Sequence, residues 1–149
     1  MNEEIMATEA DEAAVEFGAE TVESSRAMVE AERVMPTDFA HNAALHFAKA
    51  LRKHPRFADA LFFNGERDER MREDALQAAE LDLEETREDL YLSTRDGSLD
   101  ARFLLSCEME ESFVEHLRGD AAACVDELYD AVAVLMRMIA VVEGRQRLG

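Results

Sequence analysis

The chain has 149 residues, enough for one domain with a core of its own. Hydrophobic residues make up 48% of it, which excludes wholesale disorder despite a net charge of −18. That charge argues against direct binding to nucleic acid or to an anionic membrane, because both reward Lys and Arg contacts to phosphate.

Helical periodicity dominates from the start, and no segment reads as a strand. Residues 1–38 form an acidic N-terminal helix or arm, with eleven acids in residues 1–40 against Arg26 and Arg33. A helix over 8–35 carries a thin apolar stripe of Val15, Ala19, Val22 and Val29 and stops before Pro36. A second domain-forming region begins at 39. Thr37 or Asp38 caps a helix over 39–53, with Leu45, Phe47, Ala48 and Leu51 on its apolar face. Pro55 breaks it and starts a turn through Phe57, Leu61, Phe62 and Phe63. Next comes a long helix over about 66–91, with Met71, Ala75, Ala79, Leu83 and Leu90 at helical spacing. A turn at Asp96-Gly97 follows, and Ser98 or Asp100 opens a helix that runs to about Leu117. Gly119-Asp120 separates it from the last helix, over about 121–143. The predicted fold is all-α: an antiparallel bundle of four to five helices, completed by homo-oligomerisation, with residues 39–149 as its helical domain.

Two acidic pairs stand out in the last two helices: Glu108/Glu111 in "EMEE" and Glu127/Asp130 in "ELYD". Each has i, i+3 spacing, so its two carboxylates share a helix face. Such pairs are common in a chain with 34 acidic residues, and elsewhere they read as solvated faces. Here the surroundings differ. The last helix is apolar nearly all round, through Val125, Leu128, Val132, Leu135 and Ile139, and so is expected to be buried. Folding back at Gly119-Asp120 would bring four carboxylates together, an arrangement that calls for a cation. Mg²⁺ is the usual one at an all-oxygen site.

The combined pattern, Glu-x-x-Glu, fifteen residues, Glu-x-x-Asp in two consecutive helices, resembles the MazG-type all-α nucleoside triphosphate pyrophosphatases. The segment "RFLLSCEMEESFVEHLRGDAAACVDELYDAVAVLMRMI" carries the resemblance, and residues 41–143 are its extent. It implies a helical homodimer or homotetramer that uses Mg²⁺, or Mn²⁺, to hydrolyse the α–β phosphate bond of a nucleotide to a monophosphate and pyrophosphate. By the same resemblance Glu108, Glu111, Glu127 and Asp130 are the metal ligands. Glu108 or Glu111 orients and deprotonates the attacking water, and Glu115 stands by position as a further ligand or support.

Other residues are candidates for phosphate contacts. Residues 41–57 hold Lys49, Arg52, Lys53 and Arg56 and no acid; they contact phosphate or, more plainly, form a solvated face. Arg137 reaches a substrate phosphate or pairs with Asp126 or Asp130. His116 lacks the Glu-x-x-His spacing of a di-iron bundle. Phe57, Phe62 and Phe63 fit core packing better than a base pocket. Cys107 and Cys124 read as reduced, partly buried thiols, and with no membrane-length apolar run or signal-peptide pattern they suggest the cytoplasm. The rival reading is a non-enzymatic acidic interaction protein that masks a basic partner or imitates nucleic acid.

Overall fold

The computed structural model describes residues 24–145, and among these there are helices and turns but no strand. Most of the expected 8–35 helix lies outside the described residues; its end, α1, is helical over 24–34. Then follow α2 (Phe39–Lys53), a short 3-10 turn (Phe57–Asp59), α3 (Glu69–Asp96), α4 (Ala101–Arg118) and α5 (Ala121–Val142).

One local grammar sets the last three helices. Asp68, Asp100 and Asp120 each cap a helix start, accepting from the backbone N–H of Met71, Phe103 and Ala123 at 2.8–3.0 Å. Gly97 and Gly119 close α3 and α4 in the left-handed region, with φ of 75° and 79°. The resulting links are short, so α3, α4 and α5 run alternately up and down. α2 departs from this grammar. Asp38, at φ 50°, is left-handed and makes no side-chain cap bond; the expected cap is absent. Asn42 instead donates to the Thr37 carbonyl at 3.3 Å.

α4 is the middle helix: it packs on α5 and on α3, which have little contact with each other. Ala79 and Leu83 of α3 meet Val114 and Leu117 of α4 in the main apolar cluster, flanked by Phe63, Ala75, Leu76 and Phe113. The α5 contribution to the interior is small-sided, through Cys124, Ala131 and Ala140. Small residues let helix axes approach closely, but they remove little apolar area from water.

Two expectations about burial fail. Among the described residues α5 is not enclosed: Val125, Leu135, Ile139, Val141 and Val142 are exposed, because of the described long helices α4 alone packs closely on it and covers one stripe. The predicted apolar face of α2 also lies open, with Leu45 and Phe47 more than half exposed and no residue of the helix buried. Phe47 of α2 meets the ring of Phe57, in the 3-10 turn, edge-on at 5.7 Å.

The C-terminal end of α1 is held by arginines. Arg137 donates to the Val34 carbonyl at 3.2 Å, and Arg145 donates to the carbonyls of Met35 and Glu32 at 3.0 and 3.1 Å. Cations at the negative end of a helix dipole satisfy carbonyls that have no partner within the helix. Thr37 N–H donates to Glu143 at 3.1 Å, tying the α1–α2 link to the end of α5. No helix among the described residues is long and apolar enough to cross a membrane.

Candidate functional site

The turn at Gly119 fixes the site. Glu111 and Glu127 lie equally far from it along the chain, one on each side, and so do Glu108 and Asp130. When α4 and α5 fold back at Gly119, residues equidistant from the turn come level across the helix pair. Side-chain oxygens of Glu108, Glu127 and Asp130 all lie within 4.8 Å of one another. Glu111 borders this trio, with the Glu127 and Asp130 charges acting on it. Three of the four predicted carboxylates therefore meet closely, and the fourth stands beside them.

The electrostatics follow from that crowding. Burial is the largest influence on Glu108, Glu111 and Glu127, pushing each above the ordinary carboxylate value. Repulsion within the group, with Asp130 contributing, adds to it. One Oε2 of Glu108 is buried and accepts no hydrogen bond. The nearest relief is Arg87 of α3, whose Nε stands 3.8 Å from Glu111 Oε1 on a largely exposed side chain. Such a pair is screened by water and offsets little of the repulsion. Asp130 is exposed, contrary to its expected place on a buried helix, because among the described residues α4 alone of the long helices packs closely on α5.

The donor set suits a hard divalent cation. It is all oxygen and anionic, and it includes a buried oxygen without a donor. Two oxygens about 2.1 Å from one Mg²⁺ can be at most about 4.2 Å apart, so oxygens within 4.8 Å of one another need little or no closure to share one ion. Exposed Asp130 can make any such closure by a change of side-chain rotamer.

The remaining predicted residues do not join the cluster. Glu115 accepts from Arg118 Nη1 at 3.1 Å, and Arg118 also pairs with Glu80 at 3.2 Å, so Glu115 belongs to a surface network. Arg137 is directed to the α1 carbonyl rather than to Asp126 or Asp130. Lys49 and Lys53 are exposed on α2, whose main packing is against the 3-10 turn. The aromatic set divides: Phe63 packs on the core, while Phe62 stacks on His116 with ring centroids 4.0 Å apart. His116 is also bonded to Glu66, an ion pair when the imidazole is protonated, and that bond chiefly holds the Glu66 carboxyl below its ordinary value.

Arg87 is the site residue that sequence reasoning missed. Its pairing with Glu111 crosses from α3 to α4, and no local spacing announces it. Both cysteines are free and buried beside the acids, and burial first, then the neighbouring carboxylates, push their thiols up. No family model, curated protein or solved structure matches this chain.

Proposed function

We propose that this protein is a Mg²⁺-dependent nucleotide pyrophosphohydrolase, cleaving the α–β phosphate bond of a (d)NTP to a monophosphate and pyrophosphate. One observation carries the reading: carboxylate oxygens from both acidic motifs meet within 4.8 Å across the α4–α5 pair, with a buried Glu108 oxygen lacking any donor. Glu108, Glu127 and Asp130 are the ligands of the cation, for which Mn²⁺ is an alternative. When bound, it neutralises triphosphate oxygens and polarises the α-phosphate.

The chain supplies the rest. Glu111 lies outside the close trio, and its raised proton affinity suits it to accept a proton from the attacking water. Arg87, at the rim beside Glu111, replaces Lys49, Lys53 and Arg137 as the best-placed phosphate contact. Exposed Leu135, Ile139 and Val142 on α5 favour a homodimer or homotetramer. Free Cys107 and Cys124 fit a reducing cytoplasm.

The test is pyrophosphate release from a panel of NTPs and dNTPs with Mg²⁺. Turnover with at least one nucleotide, abolished by Glu127→Gln, is the expected result. No turnover, with no effect of Mg²⁺ or Mn²⁺ on the melting temperature, would reject the proposal. The rival reading, an acidic interaction protein, draws on α3, whose exposed side chains include Glu73, Asp74, Glu84, Glu85 and Glu88. A basic partner retained by a metal-insensitive protein would favour it.

A further inference from the structure

A cavity of about 280 Å³ lies between α3 and α4. Ala75, Ala78, Ala79 and Asp82 line it from α3, and Glu110 and Phe113 line it from α4. At about 100° per residue, Glu110 projects roughly 160° from Glu108 around α4. The cavity is therefore separate from the carboxylate cluster, with the body of α4 between them. One Oε2 of Glu110 is buried and accepts no hydrogen bond. None of the six lining residues is basic. The arginines that bridge α3 and α4 are engaged elsewhere, Arg118 with Glu80 and Glu115, and Arg87 with Glu111.

We propose that this cavity is a second ligand site, for a small organic cation: a primary ammonium, amidinium or guanidinium carried on an apolar body of about one ring. The two parts of the lining select the two parts of the ligand. Three alanines and the Phe113 ring offer an apolar wall with no hydrogen-bonding side chain. Glu110 and Asp82 offer acceptors only, and ionised acceptors bind charged donors most strongly. A cationic head supplies the donor that Glu110 Oε2 lacks. Anions are repelled, so a triphosphate does not compete here, and the site stands whether or not the nucleotide chemistry does. The volume is near the lower end for small-molecule pockets, which limits the ligand to about one ring.

Benzamidine is a suitable probe, with uncharged benzamide as its isostere, titrated into the full chain labelled at its alanine methyl groups. Saturable NMR shifts at Ala75, Ala78 and Ala79 are expected with benzamidine and not with benzamide. Glu110→Gln should weaken binding at least tenfold while keeping the side-chain shape. Ala78→Leu should block the cavity without touching either carboxylate, which keeps the test decisive if one variant folds poorly. The proposal is overturned by no saturable shift, by equal binding of benzamide, or by undiminished binding to either variant. Shifts centred on Ala122, Ala123 and Ala131 would also overturn it, since they would place the cation at the α4–α5 carboxylates.

Discussion

Glu127 is the residue on which the carboxylate cluster turns, because it faces Glu108 on one side and Glu111 on the other. Burial and mutual repulsion push all three above the ordinary carboxylate value, so without a cation the cluster holds protons more tightly than isolated carboxylates do. Replacing Glu127 by Gln removes one charge from the group while leaving an amide able to donate. The metal-free protein should then melt a few degrees higher, by about 2–4 °C per kcal/mol of repulsion relieved. The same change should abolish stabilisation by Mg²⁺. In the native protein that stabilisation should reach about 2.7 kcal/mol at a hundred times the dissociation constant. Thermal melts of both proteins with and without Mg²⁺ read the two effects together; equal metal shifts would refute Glu127 as a ligand.

The same residues predict a pH dependence. Glu108, Glu111 and Glu127 bind protons more tightly folded than unfolded, so the native state holds more protons once pH exceeds the unfolded carboxylate value. Stability therefore falls as pH rises from the ordinary carboxylate value through the raised ones. Their contribution is most favourable below that window. Glu66 has the opposite sign: bonding to His116 holds it down, so what it contributes is lost on acidification. Asp96 shares that sign, held down by Ser98, so three raised cluster groups stand against two lowered ones, Glu66 in its part-buried pair and Asp96. Metal-free melting temperature should rise as pH is lowered through the raised carboxylates toward the ordinary carboxylate value, and saturating Mg²⁺ should flatten that slope by holding the carboxylates ionised. A metal-free profile that rises with pH instead would contradict the crowding argument.

At the scale of the element, Asp120 links fold to site, since the cap it forms with Ala123 N–H starts the helix that carries Glu127 and Asp130. Asp120→Ala should cost about 1 kcal/mol. Asp38 is a control with the same side chain and no cap bond. Asp38→Gly should be neutral or stabilising, because glycine adopts its positive φ freely. Denaturant unfolding of the two variants measures the contrast; equal losses would mean that the cap contributes nothing.

Much of this element structure was legible in the chain. Asp-Gly punctuation gave α4 and α5 within a residue or so, and equal spacing about Gly119 foretold which acids would meet. The end of α3 was less legible. Ser93, Thr94 and Arg95 read as turn residues, yet the helix continues to Asp96. Thr94 donates its hydroxyl to the Leu90 carbonyl at 2.8 Å, so its polar group is satisfied inside the helix instead of ending it. Arg87–Glu111 and Arg137–Val34 lay out of reach because tertiary pairings leave no periodic trace. The exposure of α5 was hidden for a related reason: an apolar periphery states what a helix can bury, while the number of neighbouring helices decides what it does bury.

The whole molecule carries that surplus. Leu135, Ile139 and Val142 fall within a sector of roughly 60° on α5, and Val142 is 88% exposed. Among the described residues no helix covers this stripe, whereas a second copy has an identical one, and twofold pairing of like with like is the commonest solution. Against it stands the net charge of −18 on each copy, which makes approach unfavourable at long range. The two terms respond differently to salt. Screening at about 0.15 M limits charge repulsion to about 8 Å and leaves apolar burial intact. Association of the native chain should therefore strengthen as NaCl is raised from about 10 mM, where the screening length is about 30 Å. Sedimentation velocity should show a dimer or tetramer at the higher salt, and Leu135→Glu with Ile139→Glu should return it to monomer at every salt concentration. A dimer held by ion pairs would behave in reverse, weakening as salt is added, and would move the interface from α5 to the basic surface of α2. A native chain that stays monomeric throughout would show that the stripe is not a contact between copies.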